Sequence, residues 1–289
     1  MFKVEFLLEI VTPVFVHGSD TTRLELRIPS IKGMMRYWWR SLHPNITDIF
    51  ELKNKECEIF GGKHKIRGFL KSEIRLVLND INQKSLKMQL YKPVPTKNFK
   101  RSGIAPGQTF KIILYTRNEE FLEIGKNTLI ISTILGGIGQ RSRRGFGSIQ
   151  IKEINGNNLN ITDINKDFLI DIIRKINPFF EFQKEYGNKK YAFLKNIIIG
   201  DEVRDDWKIL INKIGNTAHN KNSDFTGFAK GQNRLASPVY VSIIKNKNEK
   251  FVPIISILNT YFKEGWKPWG SLKKQSEFIN EIVGVKNND

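Results

Sequence analysis

A single cysteine, Cys57, stands in 289 residues. With no second thiol the chain has no intrachain disulfide and no Cys-based structural zinc site, and this usage fits a reducing cytosol. Long apolar runs are also missing. The longest, Thr128 to Ile138, is too short to span a bilayer and ends in glycines and arginines. The opening MFKVEFLLEIVTPVF has no basic segment leading into an uninterrupted apolar run, so it does not read as a signal peptide. The expectation is a soluble cytoplasmic protein with no membrane partner. Acidic residues are the third scarcity, 29 against 47 Lys and Arg, for a formal charge of +18. Core material, in contrast, is ample. Hydrophobic residues make up 40% and aromatics 11%, with 20 Phe, which excludes global disorder. The length suits one large domain or two ordinary ones.

The positive charge is uneven. Residues 1–150 carry 25 basic and 13 acidic side chains, and three windows there hold no acid at all. Leu26–Thr47 contains Arg27, Lys32, Arg36 and Arg40; Ile81–Asn118 contains eight bases; Ile124–Lys152 contains Lys126, Arg141, Arg143, Arg144 and Lys152. A solvated surface normally mixes both signs. The windows therefore point to a polyanion track, against the alternative of a lysine-rich or thermophilic surface.

Along the chain the first half reads as one βαββαβ unit. Phe2, Val4, Phe6, Leu8 and Ile10 alternate with polar residues, the period of a half-buried strand. LELRIP is read as a second short strand, and Pro29-Ser30 as a helix start with Ser30 at the N-cap. Helices are expected to about Leu42 and across Asp48 to Phe60, the latter ended by Gly61-Gly62. Strands follow at Ser72–Leu78 and Thr109–Thr116, separated by a Pro-, Gly- and Lys-rich loop or hairpin extension. Glu119–Leu135 is helical, and Gly145–Ile154 returns as a strand. Asn155–Asn165 resembles a linker, which sets the expected domains at 1–155 and 156–289. In the second part, helices are expected at Phe168–Ile176, Val203–Ile214 and Leu272–Val283, with strands at Tyr191–Ile199, Pro238–Ile244 and Lys250–Leu258.

Two segments carry the chemistry. In IKGMMRYWWRSLH (Ile31–His43), at about 100° per residue, Lys32, Arg36, Arg40 and His43 fall within about 80° of one another. Met34, Trp38 and their neighbours lie opposite, with Tyr37 at the edge. Such a row matches a phosphate chain, and no acidic partner one turn away on the helix neutralises it. A solvated basic face is the alternative. The second segment, LGGIGQRSRRGFGS (Leu135–Ser148), sets Arg141, Arg143 and Arg144 between Gly137-x-Gly139 and Gly145-x-Gly147. Glycines permit close backbone approach to a phosphate, and arginines add bidentate donors. The segment is neither a Rossmann fingerprint nor a P-loop. Lys97, Lys100 and Arg101 form a further basic candidate.

Together the opening strand with TPVFVHGSD, IPSIKGMMRYWWRSLH, IFGG (Ile59–Gly62), the glycine-rich loop and RLASPVYV (Arg234–Val241) resemble the RAMP superfamily of CRISPR–Cas proteins, in particular those of the type III-B Cmr RNA-silencing complex. The resemblance implies an α+β fold of two ferredoxin-like (RRM-like) βαββαβ domains, the second divergent. It also implies a non-catalytic subunit at one end of a guide-RNA filament, contacting CRISPR RNA or target RNA beside other Cmr subunits, with no cofactor. Because the aromatics near the bases read as helical core, recognition is expected to be of backbone and shape, with the guide supplying sequence by pairing.

Some members of that superfamily cut RNA without metal, so catalysis is the rival reading. His17, in HGSD, is the candidate acid–base group, with Lys32 to stabilise a phosphorane; as an RNA contact His17 joins the binding set, and a backbone contact in a turn is its ordinary role. His43 reads as a helix C-terminal cap or phosphate contact. Asp201, Glu202, Asp205 and Asp206 precede a helix, whose positive end favours carboxylates. No His, Cys and carboxylate set has metal spacing. A third reading is an adaptor whose basic faces meet acidic neighbours.

Overall fold

The structure is a computed structural model that describes residues 1–18, 20, 23–79, 85–89, 100–158, 164–182, 191–201, 204–230, 233–262 and 267–284. Strand β1 (Phe2–Ile10) buries Val4, Phe6, Leu8 and Ile10, as alternation demands. It is the centre of an antiparallel sheet with β4 (Arg75–Asn79), β7 (Thr109–Thr116), β8 (Ile149–Ile154) and β9 (Asn157–Asn158), in the order β4-β7-β1-β8-β9. Val4, Phe6 and Leu8 stand opposite Leu114, Ile112 and Phe110, while Leu8 and Ile10 stand opposite Ile151 and Ile149. The sheet's inner face is thus continuous apolar surface.

LELRIP is not a strand. Only Leu24 pairs, in a single bridge to His17, and α1 (Ile28–Ser41) begins two residues before Ser30, after Arg27. Pro29 explains the shift. A fixed φ and a missing N–H suit the first helical turn, so the helix starts around the proline. Helix α2 (Ile49–Phe60) is capped by Asp48, which accepts from Phe50 N–H at 2.9 Å, and it stops at Gly61 with φ +76°. Two hairpins interrupt the βαββαβ plan: β2 (Gly62–His64) with β3 (Gly68–Leu70), and β5 (Ser85–Gln89) with β6 (Lys100–Ile104). Helix α3 (Glu119–Leu135) returns the chain to β8.

The second part runs α4 (Lys166–Ile176), β10 (Leu194–Ile199), α5 (Trp207–Asn220), the hairpin β11 (Phe228–Lys230) and β12 (Asn233–Leu235), β13 (Val239–Lys245), β14 (Phe251–Leu258) and α6 (Leu272–Val283). Helix α5 begins at Trp207 rather than Val203 because the Asp206 side chain caps it. Its antiparallel sheet has the order β10-β14-β13. Reading β10, α5, β13, β14 and α6 as β-α-β-β-α, this is the order of the first three strands of the ferredoxin-like sheet in the first half. Among the described residues no fourth strand completes it.

Helix α3 joins the halves. Leu129, Ile130, Ile131 and Ile134 are all buried, the pattern of a helix covered on every side. Its apolar run belongs to this core, and among the described residues no helix is long and apolar enough to cross a membrane. Ser242 Oγ on β13 donates to Ile134 O at 2.5 Å, and Lys245 Nζ reaches the buried Glu9 carboxylate at 2.5 Å.

Candidate nucleic-acid interface

The stripe on α1 is not an open cationic face. Arg36 Nε donates to Glu56 Oε1 at 2.5 Å, and Arg40 Nη1 to Glu56 Oε2 at 2.7 Å. Arg36 Nη1 also donates to the carbonyls of Phe60 and Gly61 at 3.2 and 3.0 Å. Lys32 Nζ donates to Ser72 Oγ and Ile74 O, and burial, then the nearby Arg36, pulls its pKa below the ordinary lysine value. The neutralising carboxylate comes from α2 and not from α1, so an inspection of one helix at i,i+4 spacing misses it. His43 is likewise buried. Its ring stacks on Trp39 at 4.0 Å and its Nδ1 donates to Trp39 O at 2.7 Å, so it closes the helix end and faces no phosphate.

The glycine-rich loop has a different reason for its glycines than an anion nest. Gly147, at φ +68°, lies so close to Ile138 O that a Cβ would sit 1.9 Å away; one on Gly139, at φ +84°, would sit 2.5 Å from Phe15 O. The amides of the loop close the fold: Ile138 N–H bonds Gly147 O, Gln140 N–H bonds Phe15 O, and Gly147 N–H bonds Pro13 O. Gly145 N–H bonds Val241 O, and Val241 N–H bonds Arg143 O. Gly137 lines the cleft described below. The loop is therefore pinned to both halves by its own amides.

The loop's arginines meet a cluster that the linear spacing conceals. A cleft of about 630 Å³ opens between the loop, the end of α5 and the β11–β12 hairpin. Arg141, Arg143, Arg144, Arg234 and His219 line it, and among the described residues that line it there is no carboxylate. Arg234 and His219 are exposed. Arg141 holds φ +59°, the left-handed region rare for a side chain of its size. Burial, then the neighbouring Arg101, lowers the Arg141 pKa, and Arg101 itself bonds Gln140 of the same loop. Arg144 is enclosed. It donates to Thr226 O, to Ser237 Oγ at 3.0 Å and to Val239 O at 3.4 Å. Burial, then Arg143 and Arg141, lowers its pKa to about 10, so it stays cationic at neutral pH.

Arg143 stands at the junction of this cleft with a second one. Its guanidinium lies 5.4 Å from the Tyr37 ring and 5.7 Å from the Tyr240 ring, and it donates to Ser237 O. The second cleft, about 220 Å³, lies between α1 and the loop and is lined by Ser30, Met34, Tyr37, Gly139, Ser142 and Arg143 among others. Helix α1 and the loop do share a groove, but with the Ser30–Met34–Tyr37 face, roughly 140° round the helix from Lys32, Arg36 and Arg40. Convergence of the cationic stripe with the loop is thus corrected. Of the remaining candidates, His17 pairs through its backbone with Leu24, Lys100 opens β6 opposite Gln89, and Lys97 lies outside the described residues. Asp206 caps α5 and Asp205 pairs with Lys250, while Glu202 is outside the described residues. Among the described residues no group of His, Cys, Asp and Glu is placed to hold a metal ion.

A ferredoxin-like α+β sheet, followed by a glycine-rich loop between the last helix and the last strand, defines the class. The chain belongs to the RAMP superfamily, whose sequence pattern matches residues 7–150. It is 28% identical over 180 residues to the CRISPR system Cmr subunit Cmr1-2 of Pyrococcus furiosus, covering 53% of this chain and 96% of that protein. To Cmr subunit Cmr1-1 of the same organism it is 30% identical over 170 residues, covering 52% of this chain but only 48% of that protein. The fold matches the crystal structure of apo Cmr1 from Pyrococcus furiosus with a TM-score of 0.67 at 20% identity, over 99% of this chain and 98% of the other. It matches a chain of the type III-B Cmr-beta complex bound to cognate target RNA with a TM-score of 0.64 at 13% identity, over 98% and 99%.

Proposed function

We propose that this chain is a Cmr1-type, non-catalytic RNA-binding subunit of a type III-B Cmr complex, and that its RNA contact is the arginine cleft. The observation that carries this is the gathering of Arg141, Arg143, Arg144 and Arg234 with His219 around one concavity that has no carboxylate among the described residues lining it. A solvated surface intersperses acids; an anion channel does not. Arg141 and Arg234 supply phosphate contacts, Arg101 extends them along the loop, and Arg144 contributes a fixed enclosed charge. Gly137, Gly139, Gly145 and Gly147 act by pinning the loop that presents the arginines. The charges of Lys32, Arg36 and Arg40 are answered within the fold by Glu56 and by hydrogen bonds, and His17 is engaged through its backbone in the bridge to Leu24. The relatives' names support the assembly, and a place at one end of a guide-RNA filament follows from the family resemblance.

The test is binding of labelled single-stranded RNA against salt concentration, with the chain alone and in a reconstituted complex. Each phosphate contact contributes about −0.7 to the log–log slope. The Arg141→Ala/Arg234→Ala double variant is expected to lower affinity about tenfold at moderate salt and to flatten the slope by about 1.4. An unchanged slope would move the reading to a protein-contact adaptor.

A further inference from the structure

We infer that the smaller cleft, between α1 and the glycine-rich loop, holds one unpaired nucleobase of the strand gripped by the arginine cleft; the inference rests on the RNA reading above. Its volume of about 220 Å³ is below the roughly 300–1,000 Å³ typical of sites for drug-sized molecules. That is room for one planar ring system and not for a whole nucleotide cofactor.

The walls have the chemistry of base recognition. Tyr37 is half-buried where its neighbours Trp38 and Trp39 are fully buried, so it alone of the three keeps part of its surface for a ligand. Bases stack on aromatic rings and on arginine guanidinium planes alike, and the cleft offers both in Tyr37 and Arg143. The hydroxyls of Ser30 and Ser142 add groups that both donate and accept. Gly139 presents bare backbone beside them. Under this surface the Trp38 indole N–H is buried with no hydrogen-bond partner among the described residues, an orphan donor of the kind that calls for an explanation such as water or ligand.

Continuity is what turns a small cleft into a subsite. Arg143 lines both concavities and is held in place by two tyrosine rings and Ser237 O. A phosphate on one side of that guanidinium and a base on the other are neighbouring parts of one strand. The contact is uncharged on the base side, so it adds affinity without adding to the salt dependence. It departs from recognition of backbone and shape alone.

An oligouridine with one 2-aminopurine tests this. At saturating protein, stacking in the cleft is expected to quench the probe. Ser142→Trp, which fills the cleft mouth from the loop, and Tyr37→Leu should each bind about tenfold more weakly, consistent with loss of one stacked base. Both should lose the quench and keep the wild-type salt slope, with unchanged melting of Ser142→Trp verifying its fold. Retained quench and affinity in both variants, while Arg141→Ala/Arg234→Ala still flattens the slope, overturns the base subsite and spares the RNA reading. Absence of RNA binding by the wild-type chain and by the reconstituted complex overturns both.

Discussion

Arg36→Ala should lower the stability of this chain by about 3 kcal/mol and leave the salt slope of RNA binding where it was. The Glu56 carboxylate is only 6% exposed, and it is satisfied by two guanidinium groups. Removing one partner of a buried pair typically costs about 3–5 kcal/mol, because the remaining charge is left uncompensated. Arg40 still pairs, which places the expected value at the lower end. The same change uncovers the carbonyls of Phe60 and Gly61, where α2 ends. The reverse truncation, Glu56→Ala, should cost less, about 1–2 kcal/mol, because Arg36 and Arg40 are 29% and 37% exposed and can turn to water. Glu56→Ala also frees two cations, so it should steepen the salt slope if RNA passes near α1. Denaturant unfolding of both single variants and the double variant measures the coupling. A flattened RNA salt slope in Arg36→Ala, with little loss of stability, would return this arginine to the binding surface.

That contrast shows which parts of the molecule are legible in the sequence. β1 follows from alternation alone, and α2 from Asp48 at its start and two glycines at its end, because these signals are local. Each depends on residues within a turn or a strand of one another. The neutralisation of Arg36 is not local. Glu56 lies 20 residues away on another helix, and no helical wheel drawn for α1 contains it. The glycine-rich loop is an intermediate case. Its need for positive φ is visible in the residues, yet the cause is close packing against Phe15 and Ile138, not an approaching phosphate. The arginine cleft is the least accessible, since Arg141 and Arg234 stand 93 positions apart and are brought together by long-range contacts such as the pairing of Arg143 and Gly145 with Val241. RLASPVYV marks the segment that brings Arg234 there, but a family resemblance in those residues does not reveal a cavity.

The other large effect is of pH, and His43 is its source. The imidazole is 8% exposed, and burial lowers its pKa from 6.5 to about 4; the Trp39 carbonyl opposes this, Lys55 adds to it, and the Ile176 carbonyl again opposes it. In the unfolded chain the ring takes up a proton near pH 6.5, while in the folded chain it stays neutral until near pH 4. The unfolded state therefore binds more protons throughout that window, so stability falls as the pH falls. The contribution is fully present above pH 6.5, about 2 kcal/mol of it is gone at pH 5, and the loss approaches about 3 kcal/mol at pH 4. Where the loss acts follows from what His43 joins. Tyr191 Oη donates to His43 O at 2.9 Å, and Asn177 Nδ2 donates to Leu42 O at 2.7 Å, so the end of α1 is tied there to the second half of the chain. Protonation loosens that corner first. Denaturant unfolding of the wild type and of His43→Gln between pH 8 and pH 5 separates this group from the rest, since carboxylates scarcely titrate in that range. The variant should be less stable than the wild type at pH 8 and should show a much flatter dependence; parallel curves for the two proteins would assign the acid sensitivity elsewhere.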